Sequence, residues 1–398
     1  MRVLMFGWEL PPYNSGGLGV ACYHLAKALC KKNTEVIFVL PRRVDMPPQD
    51  FSILFADANM RIRTINSPLV PYITSSLYLS FMSAEARARL YGNTLFEEVL
   101  RYGRQAKKIA ETETFDVIHA HDWLSFPAGV AAKSSSGKPL VVHVHATEFD
   151  RTGGQGVNPL VYEIEKWGME RADKVIAVSN FTKNMIIEKY GIAPEKIEVV
   201  YNAVERPDDP HGGVRSPVSR HKSLVLFVGR ITLQKGPDYF VEAAAKVLAR
   251  DRDVLFVMAG DGDMYHEMIR KAAAMGISDN FLFAGFLRGS ELTALYRSAD
   301  LYVMPSVSEP FGLTAIESLQ CGTPILISKQ TGAGESLTHC LKVDFWDTDE
   351  MAAKILAVLS YKELGQCLSE FGRREIGKFS WDRSADQCIT IYQQLTTT

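Results

Sequence analysis

The sequence predicts an α/β protein with two doubly wound domains, each a parallel sheet with helices on both faces. Short β-branched runs alternate with longer amphipathic segments almost throughout the chain, which is typical of repeated βα units. The strand candidates also fall into two sets, separated by a polar stretch. With 398 residues the chain exceeds what one hydrophobic core usually supports, so two domains are expected.

The strand candidates define the two domains. In the first half they are residues 2–6, 35–40, 117–120, 140–145, 174–178 and 197–200, and in the second 223–228, 254–259, 281–284, 301–304 and 324–327. Residues 205–222 are rich in proline, glycine and charge, which indicates a linker between domains 1–204 and 223–381. Because parallel sheets bind ligands beyond the carboxyl ends of their strands, we expect the domains to face each other across a cleft.

The composition is that of an ordinary globular protein, with 46% hydrophobic and 23% charged residues and a net charge of -2. It carries no signal for nucleic acid. The apolar run in residues 1–7 is too short for a signal peptide, and no later segment approaches a membrane span. We therefore expect a cytoplasmic protein without an integral membrane segment. The six cysteines form no C-x-x-C pair and are expected to be reduced.

A glycine-rich segment, residues 14–20, follows the first strand and precedes a helix predicted over residues 21–29. Glycines here allow the backbone to turn tightly and to approach a ligand. The pattern is not G-x-G-x-x-G, and Arg42 and Arg43 stand where a dinucleotide-binding acid is expected after the second strand. Ligand approach and a purely geometric turn therefore both remain possible interpretations.

Two histidine pairs stand at the ends of neighbouring strand candidates: His119 and His121, then His143 and His145. Alternate strand residues share a face, and imidazole is a good zinc ligand. A metal site needs further ligands and groups to orient them, which the sequence does not identify, so no metal is expected. Structural roles are favoured for the first histidine of each pair, and cleft lining for the second.

A basic loop, residues 229–236, follows the strand candidate 223–228. Arg230 supplies a planar fork and Lys235 a point charge, a pair suited to the oxygens of a diphosphate. A solvated basic turn is the alternative. Its position at a strand end favours ligand binding. The turn at residues 260–263 has acids and glycines but lacks the ligand count of a calcium loop, so it is interpreted as structural.

Two carboxylates, Glu309 and Glu317, bracket a turn that follows strand candidate 301–304 and opens a helix. Between them lie Gly312, Leu313 and Thr314, whose backbone N–H groups at a helix start can bind phosphate oxygens. Carboxylates accept hydrogen bonds from sugar hydroxyls. The turn therefore predicts a ligand with a phosphate end and a hydroxyl-rich end.

Taken in order, these motifs resemble the retaining glycosyltransferases of family 4, in the two-Rossmann-domain GT-B group, and are similar to bacterial and archaeal glycogen or starch synthases. The resemblance rests on five motifs and spans nearly the whole chain. They are residues 16–19, residues 119–123, His145, the loop with Arg230 and Lys235, and the E-x7-E pair Glu309 and Glu317.

The resemblance implies a role for each motif. Arg230 and Lys235 would neutralise the donor diphosphate. Glu309 would hold hydroxyls of the transferred sugar, and His145 would lie beside the anomeric carbon. The remaining assignments are a diphosphate contact for Gly16, Gly17, Gly312, Leu313 and Thr314, a ribose contact or support of the diphosphate site for Glu317, and acceptor-side positions for His121, Asp122 and Trp123.

The resemblance also implies that neither cofactor nor metal is needed, since Arg and Lys take the place of a cation. It implies that residues 382–398 form a helix crossing back to the first domain. Asn14 and Ser15 stand where glycogen synthases of the bacterial type carry Lys-Thr, so ADP-glucose and UDP-glucose are both retained as donors.

The function expected is transfer of a hexosyl unit, most simply glucose, from a nucleotide sugar to a glucan or other glycoside. A nucleotide-sugar 2-epimerase, or transfer to a lipid-linked or small-molecule acceptor, is the alternative. Sugar phosphorylases and a non-catalytic sugar-binding protein fit less well. Nothing in the sequence predicts the oligomeric state.

Overall fold

A computed structural model describes residues 1–12, 16–41, 47–55, 94–205 and 223–397. The chain forms two compact units: unit 1 is Met1–Ala203 with Ser380–Thr398, and unit 2 is Val204–Phe379. Asn14, Ser15, Arg42, Arg43 and residues 206–222 of the expected linker lie outside the described residues.

Unit 1 is a seven-stranded, all-parallel sheet with the strand order β3-β2-β1-β4-β5-β6-β7. The strands are β1 Arg2–Phe6, β2 Glu35–Leu40, β3 Ser52–Phe55, β4 Val117–His121, β5 Leu140–Val144, β6 Lys174–Ala177 and β7 Ile197–Val199. The described helices are α1 Gly17–Lys31, α2 Thr94–Thr112, α3 Phe126–Ser136, α4 Glu148–Arg151, α5 Pro159–Arg171, α6 Asn180–Tyr190 and, at the C-terminus, α13 Trp381–Thr396.

Because side chains point alternately to opposite faces along each strand, the apolar core of unit 1 has two parts, one on each face of the sheet. Leu4 and Phe6 lie in one apolar cluster, and Val3 and Met5 lie in another. The second cluster also contains residues of α1 and α13, among them Tyr392. The C-terminal helix therefore shares a face of this sheet with α1. The histidines of β4 and β5 alternate with the first cluster, so they point towards the face that α1 and α13 cover.

Unit 2 is a six-stranded parallel sheet with the order β10-β9-β8-β11-β12-β13. Its strands are β8 Ser223–Val228, β9 Val254–Ala259, β10 Phe281–Gly285, β11 Leu301–Met304, β12 Ile325–Ser328 and β13 Leu341–Val343. Its helices are α7 Pro237–Leu248, α8 Tyr265–Ala274, α9 Gly289–Ser298, α10 Leu313–Gln320, α11 Thr348–Ser360 and α12 Lys362–Glu375.

The prediction of two doubly wound α/β domains is confirmed. Sequence reasoning missed the edge strands β3 and β13, which are four and three residues long. It also began the first helix too late, because α1 starts at Gly17 and the glycines form its first turn. Within the described ranges, none of the helices combines the length and apolar composition needed to cross a bilayer.

In each sheet the strand order reverses at one point, between β1 and β4 in unit 1 and between β8 and β11 in unit 2. The loops that leave neighbouring strands there turn to opposite faces, which leaves a crevice at the carboxyl edge. In unit 2 the basic loop leaves β8 and the Glu309 turn follows β11. In unit 1 the histidine pairs end β4 and β5. The predicted motifs therefore lie at or beside the switch points.

Candidate active site

Lys235 and Glu309, which are 74 residues apart in the chain, form an ion pair in unit 2. The Glu309 side chain is 8% exposed and that of Lys235 18%. Glu309 lies at the end of the turn after β11, where its N–H donates to the Gln330 carbonyl at 2.9 Å and Ser306 Oγ donates to its carboxylate at 3.4 Å. The structure thus joins the basic loop and the acidic turn through their charged side chains.

The start of α10 is a helix N-terminus without a side-chain cap. Gly312 precedes the helix with φ 105°, a conformation that a residue with a Cβ rarely adopts, and its position would bring a Cβ to 3.0 Å from the Met304 side chain. Leu313 and Thr314 form the first turn and are half-buried. Helix N-terminal amides and the helix dipole favour an anion at this place.

Arg230 is held beside the same turn through a polar bridge. Its Nη2 donates to Gln234 Oε1 at 3.0 Å, and Gln234 Nε2 donates to the Ser308 carbonyl at 3.1 Å. Gln234 is 3% exposed, so this bridge is part of the interior of unit 2. Arg230 and Lys235 therefore reach the Glu309 turn from one loop, Arg230 through Gln234 and Lys235 directly.

Glu317 lies one helical turn into α10 and is half-buried. Tyr296 Oη donates to its Oε2 at 3.2 Å. Burial raises the pKa of Glu317, and the Tyr296 hydrogen bond opposes that shift. Glu309 and Glu317 thus have different partners, an ammonium group for the first and a phenol for the second.

In unit 1 the four histidines form one buried column. The ring centroids of His119 and His121 are 4.3 Å apart, and those of His143 and His145 are 4.2 Å apart. His121 Nδ1 lies 3.0 Å from His145 Nε2, and His119 Nδ1 lies 2.6 Å from Tyr392 Oη. Their exposed fractions are between 0% and 9%. Burial lowers the pKa of His119 and His145 to about 3, so the column is neutral near pH 7.

Asp122 connects the turns that follow β4 and β5. Its Oδ1 accepts hydrogen bonds from the backbone N–H groups of His145 at 2.7 Å and Ala146 at 3.4 Å. Its φ is 58°, in the left-handed region. Burial raises the pKa of Asp122 to about 7 against the opposing influence of Arg151. Trp123, the next residue, is 4% exposed in the apolar core near Phe96, and this burial favours a packing role.

A buried ionic network beside His145 was missed by sequence reasoning. Arg151 donates to Glu148 Oε2 at 3.0 Å, to Glu165 Oε1 and, at 3.0 Å, to the Ala146 carbonyl. Tyr190 donates to Glu165. Thr147 and Asp150 form a capping box at the start of α4. The Thr-x-x-Asp spacing was the available sequence signal.

The glycine-rich segment contributes backbone to unit 1. Gly16 precedes α1 and Gly17 is its first residue. The N–H of Gly19 donates to Glu9 Oε1 at 3.4 Å, and Glu9 is 8% exposed. A buried carboxylate therefore already lies at this helix start, which the sequence interpretation did not anticipate.

Two groups of side chains in and beside the histidine column could supply metal ligands. Cys22, His121 and His145 form one set of three possible ligands within 4.8 Å, and His119, His121 and His143 form another. Three of the five neighbouring ring pairs are stacked face to face, so the in-plane lone pairs of those rings run side by side. The 3.0 Å between His121 and His145 nitrogens is also shorter than the ~3.3 Å of two ligands on tetrahedral zinc. The geometry favours a hydrogen-bonded column.

Two family models match the chain, one over most of each unit. Residues 15–206 match the family model described as Glycosyltransferase Family 4, and residues 215–375 match the model described as Glycosyl transferases group 1. Among structures, the chain resembles sucrose-phosphate synthase from Thermosynechococcus elongatus, with a TM-score of 0.79 and 20% identity over 100% of this chain and 99% of that one. It also resembles HepE from Anabaena in complex with UDP-glucose, with a TM-score of 0.75 and 17% identity over 99% and 100%.

Curated relatives align over nearly the whole chain. An uncharacterized glycosyltransferase of Methanocaldococcus jannaschii is 29% identical over 99% of this chain and 98% of the relative. Glycogen synthase of Mycobacterium tuberculosis is 27% identical over 98% and 94%. D-inositol 3-phosphate glycosyltransferase of Salinispora arenicola is 29% identical over 95% and 87%. The resemblance inferred from the motifs is confirmed: the chain belongs to the family 4 glycosyltransferases of the GT-B group.

Proposed function

We propose that this glycosyltransferase moves a glucosyl unit from a nucleoside diphosphate to a hydroxyl group of a glucan or other glycoside, with retention at the anomeric carbon. The family establishes a glycosyltransferase. The donor, the acceptor and the stereochemical course are the proposed part.

The contact between Lys235 and Glu309 carries the proposal. A glycosyl diphosphate has anionic oxygens directly beside sugar hydroxyls, so it needs a cation and a carboxylate side by side. Lys235 would turn from Glu309 to the diphosphate, and Glu309 would then accept hydrogen bonds from the sugar. A pair in which each group neutralises the other keeps both charges compensated until the donor arrives.

The remaining groups of unit 2 receive roles that match their chemistry. Arg230 adds a second cation for the diphosphate, and the backbone N–H groups of Gly312, Leu313 and Thr314 add hydrogen bonds. Glu317, held by Tyr296, would accept from the ribose hydroxyls or support the diphosphate site. In unit 1 we assign Gly16 and Gly17 to the diphosphate and His145 to the anomeric carbon.

The proposed chemical step is a front-face substitution. The acceptor oxygen forms a bond to the anomeric carbon while the bond from that carbon to the phosphate oxygen breaks. The departing phosphate keeps the electron pair and takes the acceptor proton, so no enzyme nucleophile is needed. Arg230 and Lys235 stabilise the charge that develops on the diphosphate. We propose that these two cations suffice there without a metal ion or cofactor.

Two of the curated relatives support the proposed acceptors. Glycogen synthase of Mycobacterium tuberculosis aligns over 98% of this chain, which supports a glucan acceptor. The D-inositol 3-phosphate glycosyltransferase of Salinispora arenicola aligns over 95%, so a phosphorylated cyclic polyol is the second candidate.

The test is a donor panel crossed with an acceptor panel. ADP-glucose, UDP-glucose, UDP-N-acetylglucosamine and GDP-mannose are each incubated with glycogen or inositol phosphate. We expect a glucose donor to elongate glycogen, with an α-configured product by NMR. Transfer to inositol phosphate alone supports the phosphorylated cyclic polyol as the acceptor. Consumption of the donor without any acceptor product supports a nucleotide-sugar 2-epimerase. An inverted anomeric configuration contradicts the proposed step.

Arg230→Ala and Lys235→Ala test the diphosphate site. Each should lower turnover by about 10²-fold or more, as loss of one electrostatic donor typically does. Lys246→Ala is the matched control, because Lys246 lies near the C-terminal end of α7 and pairs with Asp349 of α11. Near-normal transfer by both site variants contradicts the assignment.

A further inference from the structure

We propose that His121 and Asp122 are positioning residues for the transfer reaction, because they hold the ring and the backbone of His145 from two directions. The proposal rests on the proposed function in one respect, the placement of His145 beside the anomeric carbon. It replaces the acceptor-side role that the family resemblance implies for these two residues.

The ring of His145 is held by His121. Their nitrogens, Nε2 and Nδ1, are 3.0 Å apart, and His121 has no exposed surface. His121 is itself confined, because it stacks on His119 and its carbonyl accepts a hydrogen bond from Ser125 Oγ at 2.6 Å. A hydrogen bond to one ring nitrogen determines which nitrogen carries the proton and how the ring is oriented. His121 therefore orients the ring of His145, and the hydrogen bond couples the protonation of the two facing nitrogens.

The backbone of the same turn is held by Asp122. Its Oδ1 accepts from the N–H of His145 at 2.7 Å, and its own N–H donates to the His143 carbonyl at 2.9 Å. These two bonds tie the turn after β4 to the turn after β5. On the far side of His145, the Ala146 carbonyl accepts from Arg151 at 3.0 Å. The His145 turn is thus bound on both sides.

The column continues to the C-terminal helix. Tyr392 of α13 lies with its Oη 2.6 Å from His119 Nδ1, and His119 stacks on His121. The support of His145 therefore runs through His121 and His119 to α13. Every member of this series is at most 9% exposed.

The burial of His121 and Asp122 favours a positioning role over direct contact with the ligand. His121 is 0% exposed and Asp122 is 2% exposed, and each directs a hydrogen-bonding atom towards His145, His121 through Nδ1 and Asp122 through Oδ1. Side chains so enclosed act on a ligand through the residue they hold. A displacement of about 1 Å at a reacting centre can reduce turnover about 10²-fold, so such support has a measurable effect.

His121→Phe and His121→Asn test the ring contact. Phenylalanine keeps a ring in the column but has no hydrogen-bonding atom, whereas asparagine places an amide near the position of Nδ1. We expect kcat to fall about 10- to 100-fold for His121→Phe and to recover for His121→Asn. The KM for the donor and the Kd for nucleoside diphosphate, measured by calorimetry, should stay within about threefold of the parent. Equal loss in both variants overturns the role of the hydrogen bond.

Asp122→Gly and Asp122→Asn test the backbone contact. Glycine adopts φ 58° without strain, so that variant removes only the carboxylate, whereas asparagine retains an acceptor oxygen. The expected pattern is a fall in kcat for Asp122→Gly and recovery for Asp122→Asn. Thermal unfolding of each variant identifies a general loss of folding, and unchanged kcat in Asp122→Gly overturns the role of Asp122.

A double-mutant cycle shows whether His121 acts through His145. If it does, His121→Phe should cost little once His145→Ala is present, because the supported ring is gone. Losses in kcat that multiply overturn the positioning role while leaving the proposed function standing. Normal transfer by His145→Ala alone contradicts both, because the residue being supported then has no part in the reaction.

Discussion

Gly260 approaches the backbone of Gly229 so closely that a Cβ at Gly260 would lie 1.8 Å from the Gly229 carbonyl oxygen. Gly229 directly precedes Arg230, and the two turns are joined by the hydrogen bond from the Ile231 N–H to the Asp261 carbonyl at 2.9 Å. The turn at residues 260–263 therefore packs directly against the backbone of the basic loop.

Gly260→Ala should displace the basic loop and weaken donor binding, because the contact is with backbone that cannot move aside alone. We expect a lower melting temperature and a Kd for nucleoside diphosphate raised at least about tenfold. Gly276→Ala is the matched control. Its φ of 68° also disfavours alanine, but apart from its chain neighbours none of the described residues has an atom within 4 Å of the new Cβ. Equal donor affinity in the two variants would contradict the role of the close contact.

Glu309→Gln should separate nucleotide binding from sugar transfer. The substitution removes the charge that neutralises Lys235, so we expect the free nucleoside diphosphate to bind more tightly, by about threefold to tenfold. Transfer should fall by about 10²-fold, since the sugar loses a charged acceptor. Calorimetry and initial rates give the two quantities. Weaker binding of the nucleotide would contradict the proposed exchange of partners.

The network around Arg151 should contribute strongly to the free energy of unfolding. Glu165→Ala leaves the Arg151 guanidinium, whose side chain is 5% exposed, without one partner, and we expect a loss of about 3–5 kcal/mol. Glu111→Ala removes the exposed pair with Lys107 and should cost at most about 0.5 kcal/mol. Urea denaturation measures both. Similar midpoints for the two variants would show that burial does not strengthen the network.

Acid should destabilise the protein through the histidine column. Burial lowers the pKa of His119 and His145 to about 3, and those of His121 and His143 well below the ordinary 6.5. Below pH 6.5 the unfolded chain binds protons that the folded chain does not, so stability present above pH 6.5 is lost as the pH falls towards 3. Burial raises the pKa values of Asp122 and Glu165 to about 7 and also raises those of Asp238 and Glu317, so these carboxyl groups oppose the loss that the histidines cause.

His143→Phe provides the measurement, because neither nitrogen of His143 has a hydrogen-bond partner among the described residues. Each histidine that stays neutral contributes up to about 1.4 kcal/mol per pH unit. The free energy of unfolding should therefore fall less steeply between pH 6.5 and 5 in this variant than in the parent. If the free energy of unfolding fell equally steeply with acid in the variant and in the parent, the buried His143 would not be a cause of the acid destabilisation.

The parallel sheets were predictable because a strand buried on both faces is a continuous apolar run, as in Val254–Ala259. The edge strand Leu341–Val343 was not, because three residues with a central lysine give no such run. The amphipathic stripe of α2 was also predictable, and Val99, Tyr102 and Ala106 are fully buried. Local patterns thus identify elements whose burial is dictated by their own side chains.

The contacts of the candidate site depend on residues distant in sequence. Spacing placed Lys235 and Glu309 at neighbouring strand ends, but their ion pair depends on the path of two loops. His121 was expected to line a cleft because it ends β4, yet it is enclosed on the face covered by α1 and α13. Part of that cover comes from α13, which no pattern near residue 121 reveals.

The two units are completed in the opposite order to that in which their synthesis begins. Chains emerge from the ribosome N-terminus first, and unit 2 is one continuous segment, Val204–Phe379. Unit 1 is begun earlier, but α13, which contributes Ala385, Cys388, Ile391 and Tyr392 to its core, is made after unit 2. The unit started first is therefore finished last. A chain that stops within α13 carries a complete unit 2 and a unit 1 whose histidine column lacks the part of its cover that α13 supplies.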